Sequence, residues 1–213
     1  MVFIFYKCMN KIMIKNKDGH IRGIVKETLW TWVNLITVIR DVVCIGIFTY
    51  AFIHLDLVWN YIGLGIYWLL DSLDGFVARS LNQETRFGAQ FDIISDRILV
   101  LLFYLNFLTY FPALYIPVVS FLICFIGIDL FLSLQMMRWP IKSPNYFYVV
   151  DQTIWCLNWS VIGKSFNTAL FTLVICFTHS ILLSMVVVGI ILIVKGTSFY
   201  LLRFVPNPER NWD

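Results

Sequence analysis

"YIGLGIYWLLDSLDGFVARSLNQETRFGAQFDIISDRILVLLFYL", Tyr61 to Leu105, sets four aspartates between two apolar runs. Asp71 and Asp74 close the first run, and Asp92 and Asp96 open the second. Asp71 and Asp74 are spaced i,i+3 and Asp92 and Asp96 i,i+4, so each pair shares one face of a helix. Two antiparallel helices joined by a short turn would bring the pairs face to face. Gly75 and Ala78 continue the Asp71/Asp74 face and Gly88 precedes Asp92 by one turn. Small residues there let helices or a ligand come close to the backbone.

The surroundings make these acids costly. The chain has 213 residues, 60% hydrophobic and only 14% charged, with a mean hydropathy of +0.79. Soluble domains run nearer 25% charged, so the composition is that of an integral membrane protein. The net charge of +3 and the lack of an aromatic-studded basic stripe argue against nucleic acid as a partner. The five cysteines are scattered without CxxC spacing and read as free thiols rather than disulfides or a zinc site.

A membrane span needs roughly 20 mostly apolar residues. Candidates are 33–53, 58–79, 89–110, 113–137, 165–181 and 182–203. The expected fold is therefore all-α, an integral membrane bundle of six transmembrane helices formed by residues 33–213. Residues 1–32 form a separate cytoplasmic or interfacial segment. Within it, Ile21, Ile24, Val25, Leu29 and Trp32 fall on one helical face, as in a helix lying in the membrane interface; a polar tail that happens to be periodic is the alternative. No cleaved signal peptide is expected. Basic residues crowd the segment before the first span and recur after spans two, four and six, while the other breaks contain no Lys or Arg. The positive-inside rule then places both termini, and the aspartates, on the cytoplasmic side.

An aspartate deep in a span costs roughly 2.5–3.5 kcal/mol on insertion scales, so something must neutralise four of them. Carboxylates converging without His or Cys make a hard, oxygen-only site suited to Mg²⁺, Mn²⁺ or Ca²⁺, and their four charges would balance two divalent ions. A structural ion-pair network using Arg79, Arg86 and Arg97 is one alternative. A carboxylate-lined cation transporter is the other.

Taken whole, the stretch reads D-x2-D-G-x2-A-R-x8-G-x3-D-x3-D, from Asp71 through Asp74-Gly75, Ala78-Arg79 and Gly88 to Asp92 and Asp96. This resembles the signature of the CDP-alcohol phosphatidyltransferases at every fixed position and spacing. "NLITVIR", Asn34 to Arg40, resembles the asparagine–threonine–arginine pattern these enzymes carry on their first span. The resemblance implies six spans with cytoplasmic termini, a homodimer, and transfer of a phosphatidyl group from CDP-diacylglycerol to a hydroxyl, with release of CMP. It implies Asp71, Asp74 and Asp92 as ligands of Mg²⁺ or Mn²⁺, two ions in all. Asp96 would be a metal neighbour that also takes the acceptor's proton. Asp74, Gly75, Ala78, Arg79 and Gly88 would hold the cytidine nucleotide. A transporter gives no reason for Gly75, Ala78, Arg79 and Gly88 at those intervals.

The acceptor is implied only by filler. "LNQETRFGAQFD" and the final Asp96-Arg97 resemble the branch that uses inositol or inositol phosphate, whereas "GKSFNTALF", Gly163 to Phe171, resembles the branch that uses glycerol 3-phosphate. Inositol or a phosphoinositol is the favoured acceptor, a small polyol or polyol phosphate in either case. Arg138 and Lys164, at the expected inner ends of spans four and five, are candidates to meet an acceptor's phosphate; the alternative is that they only enforce topology. Asp129 reads either as a polar wall of the acceptor cavity or as half of an interhelical hydrogen bond. Lys195 and Arg203 read either as facing the cavity or, the favoured reading, as snorkelling to the interface. The aromatic stretch between Arg138 and Lys164 reads most simply as an interfacial Trp/Tyr belt.

Overall fold

The computed structural model describes residues 31–81 and 84–206, and these fold almost wholly as helix, with no strand among them. The chain divides into two compact units, one within Lys26–Leu130 and one within Phe131–Asp213.

Three long helices build the first unit: α1 (Trp32–His54), α2 (Leu57–Ser80) and α3 (Arg86–Tyr110). Each starts at a side chain that satisfies the otherwise unpaired amides of a first turn. Thr31 accepts from the Asn34 amide, Asp56 from those of Val58 and Trp59, and Thr85 from that of Gly88. α1 ends at Leu55, which turns left-handed (φ 48°) and returns its amide to the last turn. That reversal leaves room for only Leu55 and Asp56 before α2 begins. A fourth helix, α4 (Pro112–Arg138), starts in this unit and passes through a π-helical turn at Cys124–Asp129.

The core of the first unit is aromatic: Phe48, Phe103, Tyr104, Phe107 and Phe121 are all at most 2% exposed. Two buried asparagines tie the helices together. Asn106 on α3 donates to the Phe48 carbonyl of α1 (2.8 Å) and to Asn60 Oδ1 of α2 (3.2 Å), while Asn60 donates to the Phe103 carbonyl. Gly63 permits the α1–α2 contact, since a Cβ there would lie 2.7 Å from the Phe48 ring.

The second unit contains the end of α4, a short helix α5 (Gln152–Asn158), α6 (Val161–Thr178) and α7 (Ile181–Leu201). The segment before α6 is not a simple interfacial belt. Trp139, Ile141, Phe147, Ile154 and Trp159 are buried, and Phe147 packs against both Trp139 and Trp159. Trp155 donates its indole N–H to the Asn145 carbonyl. Its aromatic residues thus build a small core of their own. Lys195 does not snorkel. It is 2% exposed, and its ammonium donates to Asn158 Oδ1 (2.8 Å), whose amide in turn donates to Ser198 (2.8 Å).

All six expected apolar stretches are helical, within a few residues of the boundaries read from sequence. Among the described residues four helices, α1, α4, α6 and the last (Ile181–Phe204), are long and apolar enough to cross a membrane. α2 and α3, at 24 and 25 residues, have the length, but both carry the motif's aspartates. The expected interfacial helix lies largely outside the described residues, and Trp32, assigned to it, instead opens α1. Burial is inverted relative to a water-soluble fold. On α1 the polar Asn34, Thr37 and Arg40 are buried, whereas Val38, Ile39, Val42 and Ile53 are exposed. An apolar exterior, with polar and charged side chains turned inward beside the aromatic core, marks an integral membrane protein.

Candidate active site at the aspartate cluster

α2 and α3 bring the motif together as their spacing predicts. Asp71, Asp74 and Asp92 each offer a carboxylate oxygen within 4.8 Å of the others. Asp74 is the deepest, with 5% of its side chain exposed, whereas Asp71 and Asp92 keep 39% and 37%. The cluster therefore has a closed floor and an open rim. Asp96, one turn beyond Asp92, is intermediate at 20%.

α1 supplies what the sequence reading did not place. Arg40, with no exposed side-chain surface, runs into the middle of the acids. Its Nη1 lies 2.9 Å from Asp71 Oδ1, 2.9 Å from Asp74 Oδ2 and 3.0 Å from Asp92 Oδ1. Its Nη2 lies 3.3 Å from Asp96 Oδ1, and its Nε 3.5 Å from Asp41. One turn earlier, Thr37 donates to Asp74 Oδ2 at 3.5 Å. The signal was present as an arginine inside an otherwise apolar span, in register with Asn34 and Thr37. Those three residues repeat every third position and fall on the buried face.

Gly88 and Gly75 differ in what they accommodate. A Cβ at Gly88 would meet Asn34 Oδ1 at 2.7 Å and Thr85 Oγ1 at 2.9 Å, so only glycine lets α1 and α3 approach there. The atoms nearest a Cβ on Gly75 belong to Arg79 of the same helix, the first at 3.2 Å. Gly75 thus makes room for the exposed Arg79 side chain to fold back, rather than for a neighbouring helix. Ala78 is buried.

Arg97 turns away from the cluster to Asp129 on α4, within hydrogen-bonding distance, and lies over the Phe125 ring at 4.1 Å. This answers the question about Asp129: it is one half of a largely buried ion pair, each side chain 11% exposed. Removing one partner of such a pair strands the other's charge, at about 3–5 kcal/mol. Asp129→Ala should therefore lower the melting temperature by about 6–20 °C in a thermal shift assay in detergent. Adding Arg97→Met should recover part of the loss, because the stranded charge is then gone. An unchanged melting temperature in the single variant would show the pair to be energetically idle.

Arg138 and Lys164 lie in the second unit. Arg138 donates to Gln135 (3.1 Å) and lies beside the Trp139 ring, and Lys164 ends the first helical turn of α6.

Three carboxylates with an open rim have the chemistry of a hard-cation site. Two features of the structure fit such an ion. Asp92 Oδ1 and Asp96 Oδ1 are buried oxygens that lie against the Arg40 guanidinium, at 3.0 and 3.3 Å, without a hydrogen bond, which leaves their lone pairs for a cation. A family model for CDP-alcohol phosphatidyltransferases matches residues 30–198. The chain belongs to this family. The match takes in α1, the whole aspartate cluster and most of α7. Among curated relatives, the CDP-diacylglycerol–inositol 3-phosphatidyltransferases of Rattus norvegicus and Homo sapiens are each 46% identical over 44 residues, 21% of this chain and 21% of theirs. The CDP-diacylglycerol–glycerol-3-phosphate 3-phosphatidyltransferase of Wigglesworthia glossinidia brevipalpis is 42% identical over 52 residues, 24% of this chain and 29% of that protein. These alignments span less than a third of each relative. No solved structure matches the chain.

Proposed function

We propose that this chain transfers the phosphatidyl group of CDP-diacylglycerol to the hydroxyl of a small polyol, releasing CMP, as a step of phospholipid biosynthesis. The observation that carries the reading is the convergence of Asp71, Asp74 and Asp92 within ligand distance of one another in a member of this family. α2 and α3 complete six spans in the proposed topology, with both termini and the cluster on the cytoplasmic side, and the protein acts as a homodimer. Asp71, Asp74 and Asp92 would hold divalent ions, two Mg²⁺ or Mn²⁺, with Asp96 beside them. When bound, such ions supply charge neutralisation and polarisation of a phosphoryl oxygen.

The chain's own groups account for the rest. Asp96 receives the proton of the acceptor hydroxyl. The hydroxyl oxygen bonds to the phosphatidyl phosphorus as the bond to the CMP oxygen breaks, and CMP departs with the bonding pair. Arg79, exposed and folded over Gly75, is placed to pair with a phosphate oxygen of the nucleotide. Asp74, Gly75, Ala78 and Gly88 are proposed for the nucleotide on the motif alone; Ala78 is buried and the space over Gly88 is taken by Asn34. The depth of Asp74 and the exposure of Asp71 and Asp92 suit a substrate that arrives from the rim.

Inositol or inositol phosphate is the proposed acceptor, on the filler residues of the motif; glycerol 3-phosphate is the alternative. Arg138 and Lys164 are proposed contacts for an acceptor's phosphate, on the sequence argument. The test is CMP release by purified protein supplied with CDP-diacylglycerol, Mg²⁺ and each acceptor in turn. Turnover with inositol or inositol phosphate, but not glycerol 3-phosphate, is the expected result. With a phosphorylated acceptor, Arg138→Ala and Lys164→Ala should raise the acceptor KM and leave that for CDP-diacylglycerol nearly unchanged. Cation flux with no CMP formed from any acceptor would replace this reading with the transporter.

A further inference from the structure

Arg40 presents a geometric problem. Its Nη1 stands 2.9, 2.9 and 3.0 Å from one oxygen each of Asp71, Asp74 and Asp92, the same three residues that could hold an ion. A guanidinium nitrogen of this kind carries two protons. Both are used, in hydrogen bonds to Asp71 and Asp74, so Asp92 Oδ1 sits at contact distance without a hydrogen bond. On the other side of the guanidinium, Nε and Nη2 are buried and also make no hydrogen bond. A planar donor fork suits one or two carboxylates. Here it faces five, those of Asp41, Asp71, Asp74, Asp92 and Asp96, and its positive charge is met while its geometry is not. A divalent cation, which takes an oxygen at each coordination position, would satisfy those oxygens better, and Nη1 stands in for such an ion.

We propose that Arg40 is a positioning residue that serves as the resident counter-cation of the aspartate cluster, occupying the ion position and competing with divalent ions for the same oxygens. The inference rests on the metal-dependent reading of the site given above. It follows that the ions bind weakly while Arg40 is seated. They bind more tightly once a nucleotide pyrophosphate adds negative charge at the rim, because the displaced guanidinium and the ions then share more anionic partners. Arg40 would thus make tight metal binding depend on the presence of the nucleotide.

A scaffold role predicts the opposite sign. If Arg40 only held the carboxylates in a metal-ready arrangement, removing it would weaken metal binding. The experiment is a Mn²⁺ titration followed by electron paramagnetic resonance, on full-length protein in detergent without lipid substrate, with and without CDP. Arg40→Gln removes the charge and keeps one amide donor. It should bind Mn²⁺ about tenfold or more tightly than the wild type in the absence of CDP, and CDP should tighten that binding less than it does for the wild type. Equal or weaker Mn²⁺ binding by the variant would overturn the proposal while leaving the metal site intact. No Mn²⁺ bound by the wild type, with or without CDP, would instead overturn the metal-dependent reading itself. Should the variant not fold without metal, a Mn²⁺-loaded wild-type structure decides. Nη1 should have moved out of hydrogen-bond distance of at least one of Asp71, Asp74 and Asp92, and its retention at all three would sink the idea.

Discussion

Asp71→Ala, Asp74→Ala and Asp92→Ala should each reduce CMP release at least about 100-fold, and EDTA should do the same to the wild type, reversibly on adding Mg²⁺ or Mn²⁺. Lewis-acid stabilisation of a phosphoryl transition state is worth several kcal/mol, with each 1.36 kcal/mol a factor of ten. A shared site also loses its geometry when one ligand goes, and small misplacements alone cost about 10²-fold. The three variants should differ in stability even where they agree in activity. Asp74 is the buried member and accepts from both Arg40 and Thr37, so its loss leaves a cavity and removes a partner of a fully buried cation. Asp71 is more exposed, and its loss should lower the melting temperature less. An inactive Asp71→Ala protein with near wild-type stability is therefore the most informative outcome. Full activity in any of the three would contradict its assignment as a ligand.

That these acids could be read from sequence follows from their isolation. In so apolar a chain, a carboxylate pair at i,i+3 followed by one at i,i+4 has few explanations, and the small residues beside them limit the choice further. The helices were legible for a similar reason, since a span must satisfy its backbone internally and so appears as a long apolar run. Three features were not legible. The cation among the acids comes from a helix 31 residues away in sequence from Asp71, and periodicity on α1 alone does not say which neighbour its polar face meets. The π-helical turn that precedes Leu130, and with it the pairing of Asp129 to Arg97 rather than to the nearer Arg138, depends on a register change with no compositional mark. Lys195 and the aromatic stretch before α6 depart from one shared expectation, that a long cation and a row of Trp and Tyr near a span's end lie at the interface. Asn158, whose amide donates to Ser198, gives the lysine an interior partner, and Phe147 gives the tryptophans an interior surface.

Asp96→Asn should separate a base from a ligand. The structure sets Asp96 somewhat apart: the oxygens within 4.8 Å of one another come from Asp71, Asp74 and Asp92, while Asp96 Oδ1 meets the other edge of the Arg40 guanidinium at 3.3 Å. Asparagine keeps the shape of the side chain and one carbonyl oxygen, which can still face Arg40, but it cannot take up a proton. Binding of CDP-diacylglycerol, and of Mn²⁺ in its presence, should therefore stay close to wild type. Turnover should fall by about 10²–10⁴-fold, the range for removing a general base. The loss should appear in kcat for every acceptor, because the proton comes from the hydroxyl that all of them present. A fall in Mn²⁺ affinity parallel to the fall in turnover would make Asp96 a ligand first. The acceptor's proton would then have to pass to another group, and the exposed carboxylates at the rim, Asp71 and Asp92, would be the next to substitute.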